Sequence, residues 1–223
     1  MEQNVPFGWF QREVEIPAQA VMLPGILGMP KGAIGVVLFA HGSGSGRFSP
    51  RNQFVARVLQ EAGFATLLLD LLTVNESEDR RYVFDIALLA RRLIAATAWT
   101  HQQAELKALP IGYFGASTGA GAALVAAAHE GKQISAVVSR GGRPDLADGD
   151  LANVTAPTLL IVGGWDQPVI ALNEQAYNEI HAPKKLVIVP RATHLFEEPG
   201  KLEEVAELAT DWFTTYLTRK QVA

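Results

Sequence analysis

Apolar runs of strand length alternate with helix-forming stretches through most of the 223 residues. That alternation predicts an α/β fold, a mostly parallel, doubly wound sheet of about eight strands with helices on both faces. Two further observations sharpen the expectation. Residues 33–40 read Ala-Ile-Gly-Val-Val-Leu-Phe-Ala, the pattern of a strand buried on both faces. Residues 111–121 pass from an apolar run into a small-residue helix former through Gly115-Ala116-Ser117-Thr118-Gly119, a serine flanked two residues away on each side by glycine.

The elements follow in order. Residues 12–16 and 20–28 read as two strands separated by Pro17, a hairpin at one sheet edge, with a bulge or bend at Pro24-Gly25. The strand at 33–40 runs into a flexible loop, His41-Gly42-Ser43-Gly44-Ser45-Gly46-Arg47. Ser49-Pro50 is an N-cap followed by proline at the first helical position, opening a helix to about residue 62 that Gly63 closes. Residues 64–70 form the next strand, 71–81 a polar connection, and 82–101 a long amphipathic helix. A strand at 110–114 leads to the Ser117 turn and a helix at 120–130. Strands at 134–139, 157–162 and 185–189 follow, with a helix at 170–180 before the last of them. The chain closes on an amphipathic helix at 203–217, with Val205, Leu208, Trp212 and Tyr216 on one stripe. The connection at 143–156 is too short for a sizeable lid, so residues 1–223 are expected to form one domain with an open site.

Composition narrows the function. Apolar residues make up 48% and charged residues 19%, an ordinary globular balance, and the net charge of −4 gives no case for nucleic acid or an anionic membrane. There is no cysteine, which removes disulfides, thiolate metal sites and cysteine nucleophiles. The opening residues Met1 to Pro6 show no basic-then-apolar leader, and no apolar run spans a bilayer, so a cytoplasmic protein is expected. No metal or organic cofactor is implied, because the histidines are scattered.

The chemistry centres on Ser117. G-x-S-x-G between a strand and a helix matches a nucleophile elbow, the sharp turn of the α/β-hydrolase fold, in which only glycine leaves room for the strained serine. The competing dinucleotide-binding reading of Gly119-Ala120-Gly121 lacks a glycine at position 124, which is leucine. A serine needs a base and the base needs an orienting acid. Of five histidines, His194 alone falls in a loop leaving the carboxyl end of a late strand. Asp166 follows a buried strand in Gly163-Gly164-Trp165-Asp166, between serine and histidine in chain order. Loop placement favours it over Asp145, Asp148 and Asp150. The backbone amides of Thr118 and Ser43 are the candidate oxyanion donors, with Gly44 next after Ser43, and His41 is read as a structural hydrogen-bonder.

These residues carry a resemblance. His41-Gly42-Ser43-Gly44, Ser49-Pro50-Arg51-Asn52, the Ser117 elbow, Ser139-Arg140-Gly141-Gly142-Arg143-Pro144-Asp145, Asp166 and His194 resemble the dienelactone hydrolase-like branch of the α/β-hydrolases over most of the chain. The resemblance implies a compact hydrolase without a lid and with a Ser117, Asp166, His194 triad. Similar domains occur attached to phosphoribosyltransferase domains. The family's namesakes use cysteine as nucleophile, and this chain has serine, which leaves acyl hydrolysis in place and the dienelactone substrate in doubt. The expected substrate is a small ester, thioester or lactone, and the expected state a monomer or homodimer. The alternatives are an acyltransferase with the same triad and a non-catalytic ligand-binding module. Arg47 and Arg51 follow the oxyanion loop, and Arg140 and Arg143 follow the strand beside the elbow. One or two of them, with Trp165 nearby, are candidates for holding an anionic substrate group, against the alternative that they brace loops through Asp70, Glu76 or Asp145.

Overall fold

The computed structural model describes residues 3–5 and 9–217; Met1, Glu2 and Pro6 of the stretch read for a leader lie outside them. Nine strands form one sheet in the order β1-β2-β3-β5-β4-β6-β7-β8-β9. The first three, β1 (Gln3–Val5), β2 (Trp9–Ala18) and β3 (Val21–Met29), are antiparallel, and β3 also joins β5 (Phe64–Leu69) antiparallel. From β5 through β4 (Gly35–Ala40), β6 (Ile111–Ala116), β7 (Ile134–Arg140), β8 (Thr158–Gly163) and β9 (Lys184–Val189) every pairing is parallel. The doubly wound architecture is as expected, and β1 adds one short strand to the eight.

The central strands are the completely buried ones. All six residues of β4, β5, β6 and β8 are buried, because helices cover both faces. One face packs against α4 (Ile86–Gln102), α5 (Thr118–Glu130) and α6 (Gln167–Glu179), the other against α1 (Pro50–Glu61) and α7 (Lys201–Leu217). β9 is the outer edge, paired only with β8, and of its six residues only Val189 is buried.

Four local expectations are corrected. The hairpin turns at Gln19-Ala20, with Gln19 at φ +56°, and Pro17 lies within β2 opposite Met22. No bulge forms at Pro24-Gly25. The β2–β3 register is unbroken, and Pro24 lies just beyond the ladder to β5, so its missing N–H removes no bond there. Within the expected polar connection at 71–81, α2 (Val74–Ser77) forms under a reciprocal Thr73–Glu76 capping box. α3 (Arg80–Val83) follows, and α4 starts at Ile86 on an Asp85 cap rather than at 82. On α7 the buried stripe is Val205, Ala206, Ala209, Phe213 and Leu217, with Leu208, Trp212 and Tyr216 only flanking it. Alanines face the sheet there because the helix lies close, and Gly112 on β6 leaves the space that the Phe213 ring fills.

Between β7 and β8 a 3₁₀ segment, Pro144–Asn153, packs on α5 and builds no lid. It explains why α5 is so poor in large side chains. A Cβ on Gly121 would stand 2.9 Å from the Arg143 carbonyl oxygen, so the helix must be smooth on that side. The parallel strands all point their carboxyl ends to one rim, and the chemically distinctive loops leave from there.

Candidate active site

Ser117 occupies the corner between β6 and α5 at φ +50°, ψ −122°. That backbone region costs about 1–3 kcal/mol for a residue with a Cβ and persists only where the surroundings impose it. Here they do. The Ser117 N–H donates to the Arg140 carbonyl at 3.3 Å, and its own carbonyl accepts from Arg143 N at 3.1 Å and Ala120 N at 3.0 Å. The flanking glycines are required by contact. A Cβ on Gly115 would lie 2.5 Å from Ala120 Cα, and one on Gly119 would collide with the carbonyl oxygens of Ala40 and His41. The elbow is therefore wedged between the ends of β4 and β7.

On one side of the serine stand the candidate acid and base. Asp166 begins α6, yet its carboxylate caps no helix amide. It accepts instead from His194 Nδ1 at 2.6 Å. With Nδ1–H donating, the lone pair of His194 Nε2 is left to act as a base. The two loops are joined along their backbones. Gly164 N donates to Val189 O at 2.8 Å and Trp165 N to Ala192 O at 2.9 Å. A Cβ on Gly163 would run into the carbonyl oxygens of Ala192 and Thr193. Gly141, at φ +50°, sits under the His194 backbone in the same way. The Trp165 indole beside this joint is exposed.

On the other side lies the loop after β4. His41 is buried, and its tautomer follows from its partners. Leu71 N can only donate, so Nε2 accepts from it at 3.0 Å, and Nδ1–H donates to Gly42 O at 3.0 Å. Burial holds this imidazole below its ordinary value of 6.5. In a trans peptide C=O and N–H point opposite ways, so anchoring the Gly42 carbonyl on the ring turns the Ser43 N–H away from it. Gly42 lies so close to the serine that a Cβ on it would be 3.0 Å from Ser117 Cβ. Among the described residues neither the Ser43 nor the Thr118 amide donates to a protein acceptor.

Around this loop the surface opens into a cavity of about 240 Å³, lined by His41, Gly42, Ser43, Thr118, Leu72, Val83 and Leu89 among others. The Thr118 hydroxyl is buried there without a partner. An adjoining cleft of about 450 Å³ continues past Ser43 and Gly44 to Arg47, Phe48, Ser49 and Arg51. Leu72, Val83 and Leu89 carry no motif, and only the folding of 71–89 over the loop identifies them. Arg92 fastens that cover, donating to Leu71 O at 2.8 Å and to both Glu76 oxygens at 2.6 Å and holding the Glu76 carboxyl at about 2. A further cleft of about 430 Å³ between α1 and the β2–β3 hairpin, lined by Phe10, Phe54 and Gln60, touches none of the candidate catalytic residues.

The arginines divide. Arg47 is paired with Asp70 through its guanidinium and its main-chain N–H, and Arg143 is bidentate with Asp145 at 2.8 and 2.6 Å. Both brace loops. Among the described residues Arg140, buried at the end of β7, has no carboxylate partner, and Arg51 has only an exposed contact to Glu197 at 3.2 Å. Among the described residues no cluster of His, Asp and Glu has the grouping of a metal site, and no helix is long and apolar enough to cross a membrane.

Comparison with known proteins agrees with this fold. Residues 23–218 match the model of the dienelactone hydrolase family. Two curated Mycobacterium tuberculosis proteins, which carry the provisional name of phosphoribosyl transferase, are 59% identical over 205 residues. That alignment takes in 92% of this chain, and the chain spans about half of their length, 46%. A dienelactone hydrolase of Anabaena variabilis has a crystal structure that superposes with a TM-score of 0.92 at 57% identity, over 94% of this chain and 99% of that one. The Est1E structure from Butyrivibrio proteoclasticus shares the fold at a TM-score of 0.78 and 18% identity, over 91% and 98% of the two chains.

Proposed function

The chain belongs to the dienelactone hydrolase family and is a hydrolase of the α/β type, and from that premise we propose a serine hydrolase that cleaves a small ester, thioester or lactone through an acyl-enzyme. The observation that carries this reading is the joint of the two late loops, which puts the Asp166 carboxylate on His194 Nδ1 at 2.6 Å at the rim where Ser117 is held in a strained corner.

In this mechanism His194 Nε2 takes the Ser117 proton as Oγ attacks the carbonyl carbon, and Asp166 stabilises the imidazolium. The Ser43 and Thr118 amides, which have no protein acceptor among the described residues, bind the oxyanion. The alcohol or thiol leaves with the proton from His194. Water, deprotonated by the same nitrogen, then attacks the acyl-enzyme, and collapse of the second tetrahedral intermediate returns the proton to Ser117 Oγ and frees the acid. The acyl or alcohol portion fits the cavity walled by Leu72, Val83 and Leu89, whose volume of about 240 Å³ suits a short chain. We further propose that residues 1–223 act as one unit in the cytoplasm on a small-molecule ester.

The test is hydrolysis of p-nitrophenyl acetate and butyrate by wild type and Ser117→Ala, purified alike, with labelling by a fluorophosphonate. We expect turnover and labelling in wild type, and a loss of at least about 10³-fold with no labelling in the variant. Wild type that neither turns over nor labels would sink the reading and favour a ligand-binding module.

A further inference from the structure

Arg140 is the least compensated charge among the described residues. It is 7% exposed, its Nε and Nη1 have no hydrogen-bond partner, and Nη2 reaches only Asn52 Oδ1, at 3.5 Å. Asn52 is itself buried in the first turn of α1, so the guanidinium is aimed at that helix's amino end. A buried charge costs several kcal/mol unless an anion answers it. None does. The charged group that bears on Arg140 is Arg51, of the same sign, and burial together with that repulsion lowers the Arg140 guanidinium to about 10.

The amino end of α1 adds to the same field. It is twelve residues long and has no acidic residue in its first turn. Pro50 has no N–H, Ser49 Oγ caps Asn52 N weakly at 3.4 Å, and the Arg51 N–H has no protein acceptor among the described residues. Arg51 lines the cleft that begins at Ser43 and Gly44 of the oxyanion loop, and its Nε is also without a partner. The other charges facing the cleft are already balanced or exposed: Arg47 by Asp70, and Glu197 three-fifths exposed at its single contact with Arg51. His41, the remaining titratable group there, is held below its ordinary value by burial, and its Nε2 lone pair is taken by the Leu71 N–H.

From this arrangement we propose that the cleft beside the oxyanion loop is a phosphate subsite, in which Arg51 and the first turn of α1 contact a phosphate monoester dianion and the buried Arg140 supplies the second positive charge behind them. The charge count selects the dianion. With Arg51 released from its exposed contact to Glu197, two guanidiniums and a helix amino end meet the anion, and a dianion balances them more fully than a monoanion such as a carboxylate. Joined to the proposed hydrolase chemistry, on which only this last step rests, the substrate class becomes a short-chain ester that carries a phosphate group on the side facing α1.

The test reads binding rather than turnover. Phenyl phosphate and benzoate are titrated calorimetrically into wild type, Arg51→Gln, Arg51→Lys and Arg81→Gln, at pH 5 and pH 7.5. Arg81 is a control, 86% exposed, paired with Asp79 and not among the residues that line the cleft. Phenyl phosphate should bind wild type and Arg81→Gln alike. It should bind tighter at pH 7.5 than at pH 5, because the second phosphate ionisation lies near pH 6. Arg51→Gln should weaken it at least about tenfold, Arg51→Lys should restore part of the loss, and benzoate should bind at least about tenfold more weakly than phenyl phosphate. Equal affinity in wild type and Arg51→Gln would overturn the proposal, since the anion would then sit elsewhere, as would benzoate binding as tightly or no binding of phenyl phosphate. A protein that binds phenyl phosphate through Arg51 but leaves p-nitrophenyl esters intact would retain the subsite and lose the hydrolase reading. An active esterase indifferent to phenyl phosphate would do the reverse.

Discussion

Two glycine-bearing loops flank Ser117, and they use glycine for opposite reasons. On the base side, Gly163 and Gly141 exist to be touched. Neighbouring backbone carbonyls occupy the space where their Cβ atoms would be, and the closeness is what brings Asp166 to His194. On the oxyanion side, Gly44 at φ +68° has nothing within 4 Å of where its Cβ would be, and its neighbour Ser43 is exposed. That loop is held from beneath, by the His41 ring between Gly42 O and Leu71 N. One side is positioned by packing of backbone on backbone, while the other adds to such packing at Gly42 a single buried side chain beneath a free turn at Gly44. Sequence composition alone does not separate the two kinds of glycine.

Substitutions can break this contrast or sharpen it. The largest effect is expected for Asp166→Asn, which keeps the shape of the joint and removes its charge. The ester kcat should fall by about 10³–10⁴-fold with little change in melting temperature. Gly163→Ala attacks the joint sterically. It should cost about 1–3 kcal/mol in urea unfolding and about 10²-fold in kcat, because His194 is pushed from its acid. Gly44→Ala is the matched test on the open side, where only the positive φ resists a Cβ. A loss of about 1 kcal/mol and less than about tenfold in kcat is expected, and losses equal to those of Gly163→Ala would remove the distinction. The smallest effect is a pH dependence of the His41 anchor. Burial depresses its folded value below 6.5, so the unfolded chain binds its proton first on acidification. Its contribution to stability should be complete above pH 6.5 and decline as pH falls below it. Urea midpoints between pH 8 and pH 5 should show a slope in wild type that is reduced in His41→Gln.

Much of the frame was legible because its signals are local. The Ser117 elbow, the buried strands β4 and β8, and the loops carrying Asp166 and His194 are each written within about ten residues, in patterns that backbone sterics demand. What was not legible depends on distance. Gln19 takes the hairpin turn without a glycine or asparagine to mark it, since the strand register around it is set by the whole ladder. The stripe on α7 is displaced toward alanine because the helix sits close to Gly112 and the sheet, a spacing that periodicity does not encode. The four arginines look equivalent in sequence. Only the fold assigns Arg47 and Arg143 their aspartates and leaves Arg140 with none. The wall of Leu72, Val83 and Leu89 was likewise invisible until residues 71–89 folded over the oxyanion loop.

His194 rides on β9, and β9 has a single neighbouring strand, with one buried residue in six. Outer elements with few buried contacts open at lower free energy than the global unfolding that melts β4 or β6. His194, the proposed base, would thus leave its post in a sub-global opening, while the elbow stays packed at the centre of the sheet. Heat inactivation should precede the loss of circular dichroism, and amides of β9 should exchange their hydrogens earlier than those of β6. Ser117 and His194, partners in the proposed chemistry, belong to different stability classes of the same molecule.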